Sequence, residues 1–457
     1  MRLNRIMGRA RIMIILILVL SIGFGLFVAE YLTNCREWVM FPGSPHLYNA
    51  GNLGCGIVTD RDGALLLDMT GGRHYSQNSA LRTSVVHWLG DRQGHVSAPA
   101  VSHYASQMMG YDPINGIYAY GGGNGKATMT LYAPAQMAAL EAMQGKKGTV
   151  AVYNYRTGEI LCAVSTPSFD PDNVPDLSEG EAGSFDGLYV NRFLQSAYTP
   201  GSIFKVLTLA AALEAIPDIE QQQFECTGLV EYGVDKVTCP EIHGVMDLKT
   251  AFACSCNCAF ASIAGQLGGE ALQRYAQQFC AMESISFDGI TTAAGNLEAE
   301  GKADVLVAWS AIGQHKDLVN PCAYLSFIGA IANEGILLTP RVVSTVSSAK
   351  EVTYEAQQTA GTRIMSGKTA RTLQDYMRFT VSYRYGEEHF GGLTLSGKTG
   401  TAEVGSEKEP NGTFTGFLSD PSCPLAFIAV IEESEMGGWE CFPVVTAALK
   451  ACIASFG

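Results

Sequence analysis

The chain has 457 residues, long enough for two or three domains with a large core, and 47% hydrophobic against 16% charged residues marks it as globular rather than disordered. Its formal charge of -14 argues against nucleic-acid binding, where affinity comes largely from neutralising phosphates. Beyond residue 30 the balance falls to -17, because the first stretch holds Arg2, Arg5, Arg9 and Arg11 against one acid, Glu30.

Ile12 to Ala29 is an uncharged apolar run of 18 residues. As a helix it spans ~27 Å, enough to cross the hydrocarbon of a bilayer. The arginines before it predict that residues 1–11 are cytoplasmic and that the bulk of the chain lies outside, on a single-pass cell-membrane anchor over 12–29. A cleaved signal would put Phe27 where a small residue is wanted, and Asn34 is too large for a lipoprotein box ending at Cys35. Residues 31–126 then break into short segments punctuated by turns. Cys55 to Leu67 reads as strand, turn at Asp62-Gly63, strand. Gly121-Gly122-Gly123 with Gly125 reads as a flexible connection. With no catalytic pattern here, a β-rich pedestal or partner-binding domain is expected.

From residue 127 onward a larger domain is predicted. Ala133 to Met143 reads as a helix, and Thr149 to Asn154 with Ile160 to Val164 as a hairpin. Ser202 to Ala215, Ala303 to Ile312, Cys322 to Ile331 and Val444 to Ser455 read as helices; Leu393 to Leu395 and Leu425 to Glu432 read as strands. Strands at both ends with helices between predict an α+β domain whose central sheet joins the two chain ends.

Three short motifs fall in this domain in fixed order. Ser202-Ile203-Phe204-Lys205 places a hydroxyl and an amine one helical turn apart. A serine is a poor nucleophile until a base takes its proton. Lys205 can be that base only if burial or a nearby cation, such as Lys398, keeps it neutral. Ser255-Cys256-Asn257 supplies a second hydroxyl to relay a proton and an amide to hold a carbonyl; helix capping is the bland reading of both residues. Lys398-Thr399-Gly400-Thr401 offers a cation and hydroxyls for a carboxylate, with a glycine that admits close backbone approach.

Decoys set the weight of each motif. Ser347-Ser348-Ala349-Lys350 repeats the first pattern without the Pro200-Gly201 lead-in. Ser366-Gly367-Lys368-Thr369 mimics the third but opens a predicted helix, Ala370 to Phe379, so capping explains it. Gly392 to Thr399 matches the phosphate-binding loop formally, yet Gly400 to Gly405 cannot form the helix that such a loop needs. Among the cysteines, Cys226 and Cys239 could close a disulfide in an exported protein, and Cys254, Cys256 and Cys258 surround the second motif. With His243 they show no paired metal-binding spacing, so neither a metal nor any other cofactor is expected.

With the three motifs in this order the chain resembles the class B penicillin-binding proteins, peptidoglycan D,D-transpeptidases. Ile57-Val58-Thr59-Asp60-Arg61-Asp62-Gly63, Gly158-Glu159-Ile160-Leu161, Ser168-Phe169-Asp170-Pro171, Ala311-Ile312-Gly313-Gln314 and Thr415-Gly416-Phe417 extend the likeness over nearly the whole chain. No segment of glycosyltransferase length precedes the transpeptidase part, which points to class B rather than class A. The resemblance implies a penicillin-binding, serine β-lactamase-like fold over 127–457, with a central antiparallel sheet and helices. It implies Ser202 as acylated nucleophile, Lys205 as base and Ser255 as proton relay. It further implies Asn257 on the substrate amide, Lys398, Thr399, Gly400 and Thr401 on the carboxylate side, and the amides of Ser202 and Thr401 as oxyanion hole. Stem peptides and β-lactams are the implied ligands, and a membrane-embedded glycosyltransferase the implied partner. A β-lactamase or antibiotic sensor fits less well, given the anchor and the lack of a deacylating glutamate motif after Ser255. A non-catalytic structural component of a division or sporulation complex is the alternative. Two departures, His315-Lys316 after Gly313-Gln314 and Asn320-Pro321 for the usual Thr-Pro, are expected at the rim of the site.

Overall fold

The computed structural model describes residues 2–39, 48–49, 52–54, 56–109, 125–178, 183–349, 351–358, 360–404 and 408–456. The expected connection Gly121–Gly123 lies outside them. The catalytic half is organised by a five-stranded antiparallel sheet in the order Leu395–Ala402, Asn411–Leu418, Leu425–Ile431, Gly148–Asn154, Ile160–Thr166. Segments from the two ends of the predicted domain, 148–166 and 395–431, do meet in one sheet. Its four strands behind the edge strand are buried at every position, so both faces must be covered.

The period of two along each strand divides the core. Val150 and Val152 pack on one face with Ala135, Ala139 and Met143 of helix Ala133–Met143 and with Val444, Val445 and Ala448 of helix Cys441–Ile453. Ala151 and Tyr153 point the other way, into the cluster containing Tyr324, Phe327 and Ile328 of helix Pro321–Ala332. That helix is apolar all round and correspondingly buried. Pro321 opens it, and the Asn320 side chain accepts from the amides of Cys322 and Ala323. Asn320 also donates to the carbonyls of Leu194 and Ser196 and is fully buried. This departure is therefore a helix cap inside the protein and not a rim residue.

A second sheet carries the N-terminal segment. Its order is Val352–Glu355, Val343–Ser347, Lys126–Met129, Ile57–Thr59, Leu65–Asp68, His74–Tyr75, with the Ile57–Thr59 and Lys126–Met129 strands parallel. Strands from 343–355 thus complete a sheet begun at residue 57. Asp60 ties the pieces together: Oδ1 accepts from the amides of Asp62 and Ala64, and Oδ2 accepts from the amide of Ala133 at the start of the next helix. From helix Ser79–Leu89, Arg82 makes two 2.6 Å bonds to the Asp170 carboxylate, and Trp88 donates to the Ala163 carbonyl on the central sheet. At the N-terminus the helix Arg2–Val39 contains an apolar stretch, Ile6–Cys35, long enough to cross a membrane.

Candidate active site

The first motif straddles a 3-10 turn, Gly201–Phe204, and the helix Lys205–Ala215 that it runs into, with Lys205 as the helix's first residue. The expected helix from Ser202 is therefore a tighter turn followed by an α-helix. Glycine is required at the lead-in. Gly201 has φ +56°, and a β-carbon there would lie 2.5 Å from the Thr401 carbonyl oxygen. Behind it, a β-carbon on Gly313 would come within 2.1 Å of the Gly201 carbonyl oxygen. The 201–204 turn that carries Ser202 is thus wedged between two backbones.

Lys205 is completely buried, and its amine reaches four oxygens: Ser255 O at 2.6 Å, Asn257 Oδ1 at 2.7 Å, Ser255 Oγ at 3.0 Å and Ser202 Oγ at 3.1 Å. Burial lowers its pKa to about 7. A neutral amine has two N–H donors and one lone pair. The two nearest oxygens are a carbonyl and an amide oxygen, which can only accept. They take the two N–H groups and leave the lone pair for a hydroxyl proton, the arrangement of a general base.

Ser255 sits between helices Leu248–Ala253 and Asn257–Leu267, in the left-handed region at φ +55°. A non-glycine residue held there marks a backbone that its surroundings over-determine. The strained turn points Ser255 Oγ at both lysines, 3.0 Å from Lys205 and 3.1 Å from Lys398. Asn257 donates through Nδ2 to Thr238 O and accepts from Lys205, which leaves one of its amide hydrogens for another partner. Lys398 is also buried, and desolvation first, then the Lys205 charge, drives its pKa well down.

The third motif lies wholly inside the edge strand Leu395–Ala402, longer than the segment expected from sequence. No helix follows Thr399, so the phosphate-loop reading is excluded. The Thr399 amide donates to Tyr385 OH at 2.9 Å, away from the paired strand. Residues two apart direct their backbone groups to the same edge, so the Thr401 amide faces the same open side, where Gly201 packs. The small residue at Gly400 makes room for the 201–204 turn: a β-carbon would meet Pro200 O at 2.7 Å and Thr413 Oγ1 at 2.3 Å. It accommodates that turn, whereas the sequence reading gave it to a ligand backbone.

These residues line one cleft of about 760 Å³, with Ser202, Ser255, Asn257, Lys398, Thr399 and Thr401 on its wall. Residues that sequence reasoning missed complete it. Tyr385 is buried, 2.9 Å from Thr399 Oγ1, and Arg384 donates to Glu241 at 2.7 Å. Trp309 and Trp439 line it as well. None carries a local sequence signal. Gln314 lines the cleft, and His315, exposed beside it, has φ +69°, the conformation that glycine would adopt without cost. The decoys are elsewhere: Ser366 caps helix Gly367–Thr380 by accepting from the Thr369 amide, and Ser347 ends a strand, while Lys350 lies outside the described residues.

Cys226 and Cys239, which the sequence left as either buried or disulfide-bonded, are both buried free thiols. Contrary to expectation, Cys226, Cys239, His243 and Cys256 converge, with one ligand-type atom from each lying within 4.8 Å of the others.

Residues 148–447 match the family described as the penicillin binding protein transpeptidase domain. The chain is 28% identical over 366 residues to the peptidoglycan D,D-transpeptidase PbpA of Mycolicibacterium smegmatis, covering 72% of each. It is 29% identical over 337 residues to stage V sporulation protein D of Bacillus subtilis, covering 69% of this chain and 51% of that one. Among solved structures, the D,D-transpeptidase domain of a peptidoglycan glycosyltransferase from Eggerthella lenta superposes with a TM-score of 0.73 at 25% identity, over 87% of this chain and 98% of that one. Penicillin-binding protein A of M. tuberculosis, as a ceftriaxone acyl-enzyme, gives 0.75 at 22% identity, over 87% and 98%.

Proposed function

The chain belongs to the penicillin-binding protein transpeptidase family, and on that premise we propose that it is a class B peptidoglycan D,D-transpeptidase whose acyl-enzyme forms on Ser202. The observation that carries the assignment of residues is the Lys205 amine, buried and within 3.1 Å of both the Ser202 and Ser255 hydroxyls.

Ser202 Oγ attacks the carbonyl carbon of the penultimate D-Ala of a stem peptide, and its proton passes to Lys205. The amides of Ser202 and Thr401 face the developing oxyanion, donors fixed before charge appears. Ser255, bonded to both lysines, hands a proton to the leaving nitrogen; the C–N bond breaks and D-Ala departs, leaving an ester on Ser202. An amine of a neighbouring stem then attacks that ester, a new amide forms, and Ser202 recovers its proton. Lys398, Thr399 and Thr401 hold the terminal carboxylate, and the spare amide hydrogen of Asn257 holds a substrate carbonyl. β-Lactams acylate the same serine.

The remainder of the reading concerns placement. Helix Arg2–Val39 anchors the chain with residues 1–11 cytoplasmic and the catalytic half outside, in accord with the four arginines before Ile12. The region 31–126 serves as pedestal for residues 127–457 and as a surface for a membrane-embedded glycosyltransferase. Co-purification of the two from membranes tests the partnership, and absence of the polymerase from the eluate counts against it. For the chemistry, the purified protein is incubated with a fluorescent penicillin beside its Ser202→Ala variant. Stable labelling lost in the variant is expected; an unlabelled, folded wild type overturns the assignment.

A further inference from the structure

Outside the acylation chemistry, one cluster of soft ligands among the described residues is left without a role. Cys226 ends the strand Gln223–Cys226, and Cys239 and His243 flank the loop before the strand Gly244–Asp247. Cys256 stands between Ser255 and Asn257. The spacing is Cys-x12-Cys-x3-His-x12-Cys. Cys239 Sγ lies 4.0 Å from Cys256 Sγ and 3.6 Å from His243 Nδ1. With metal–sulfur bonds of about 2.3 Å and metal–nitrogen bonds of about 2.0 Å, tetrahedral geometry places sulfurs about 3.8 Å apart and sulfur and nitrogen about 3.5 Å apart. The observed separations match both.

A second observation points the same way. His243 Nε2 is buried and makes no hydrogen bond, and the nearest carboxylate oxygen, Glu241 Oε2, stands 3.7 Å away. That distance is too long for a hydrogen bond, but the carboxylate stands on the side to which a metal-ligating histidine turns its other ring N–H. Free thiols this close together outside the cytoplasm otherwise tend to oxidise.

We propose that Cys226, Cys239, His243 and Cys256 bind one structural zinc ion, which clamps the 223–247 lobe to the turn carrying Ser255 and Asn257. Three sulfurs and one nitrogen fill a tetrahedral shell and leave no open position, so the ion is structural and not a Lewis acid for the reaction. Its effect on the site is positional. Cys256 is the residue between the two side chains that bond to Lys205, and its Sγ also accepts from the Ala259 amide at the start of the following helix. Thr238, whose carbonyl holds Asn257, immediately precedes Cys239. Zinc ligation fixes both ends of that contact.

The test is metal analysis of the full chain purified in detergent without chelator, together with thiol-trapping mass spectrometry. It goes beyond the transpeptidase reading and is scored separately from it, because metal content is read without reference to acylation. Expected are one zinc per chain, its loss in both Cys226→Ser and His243→Ala, and a fall in melting temperature on chelation that Zn²⁺ reverses. A wild type that holds no zinc and takes up none after reduction overturns the proposal, as does a native Cys239–Cys256 disulfide. Zinc retained undiminished in both variants also overturns it, since the ion then resides elsewhere.

Discussion

Lys205 and Lys398 reach the same hydroxyl: Ser255 Oγ lies 3.0 Å from one amine and 3.1 Å from the other. Desolvation lowers both pKa values, and the Lys205 charge lowers that of Lys398 further. Lys205 falls to about 7, so its neutral, proton-accepting form grows as pH rises through that value. The acylation rate with a β-lactam should therefore climb through about pH 7 and level above it. Lys205→Arg, whose guanidinium stays protonated, should lose at least roughly 100-fold, the lower end of what a positioned base contributes. Stopped-flow acylation from about pH 5 to about pH 11.5, past the ordinary lysine value of 10.5, decides. An inflection near 10.5, the ordinary lysine value, contradicts the role given to Lys205.

Asn257 provides a sharper check on the same base. Its Oδ1 is 2.7 Å from the Lys205 amine. Asn257→Asp puts a carboxylate there and favours the ammonium form, so the acylation profile should move up by about one pH unit or more. Asn257→Ala removes an acceptor without adding charge and should lower the plateau with a smaller displacement. Equal profiles for the two variants would mean that Asn257 does not set the charge of Lys205.

Tyr385 accepts from the Thr399 amide and meets Thr399 Oγ1, both at 2.9 Å. Tyr385→Phe takes the partner from the partly buried Thr399 N–H, at a cost of about 1 kcal/mol, and frees the Thr399 hydroxyl to rotate. If Thr399 holds the carboxylate, β-lactam capture should weaken roughly 10-fold while the limiting acylation rate changes little; about 1.4 kcal/mol corresponds to that factor. The concentration dependence of acylation separates the two quantities. A changed limiting rate with unchanged capture would place Tyr385 in the chemistry instead.

Tyr385 also shows what the sequence could not disclose. Ser202 and Lys205 are one turn apart, and Ser255 and Asn257 two residues apart, so their partnership is local and readable. Tyr385, Arg384 and Trp439 reach the cleft from segments with no catalytic pattern, and only the tertiary fold gathers them. The same holds for Cys226, Cys239, His243 and Cys256, whose x12 intervals contain no close cysteine pair. The sheet shared by Ile57–Thr59, Lys126–Met129 and Val343–Ser347 was hidden for another reason: strands of three to five residues carry too little alternation to reveal pairing across nearly 300 positions. The edge strand was underestimated because Gly397 and Gly400 depress strand propensity. Packing demands them there, since β-carbons would strike Phe414 and the 201–204 turn.

Gly313 tests that wedge. A β-carbon would sit 2.1 Å from Gly201 O and 2.7 Å from the Phe204 β-carbon, at φ +77°. Gly313→Ala must push the 201–204 turn toward the edge strand, where Gly201 already abuts Thr401. Stability should fall by about 1–3 kcal/mol, and acylation should fall by more than the folded fraction accounts for, because Ser202 moves relative to Lys205. Melting curves alongside active-site titration compare the two losses; a variant with wild-type acylation would show the turn to be more compliant than its contacts imply.

The Arg82–Asp170 pair joins the N-terminal region to the catalytic half through two charge-assisted bonds of 2.6 Å, with both side chains mostly shielded. Bidentate geometry and partial burial set it apart from exposed ion pairs, which contribute little. Asp172 lies 3.6 Å from the same guanidinium and compensates in part for loss of Asp170. Arg82→Ala should therefore cost more than Asp170→Ala, with a coupling energy of about 1 kcal/mol in the double-mutant cycle. Both variants should keep Ser202 acylation, since neither residue touches the cleft. Additive losses in the cycle would mean that the two segments are held by apolar packing around Val58 and Trp88 rather than by the clamp.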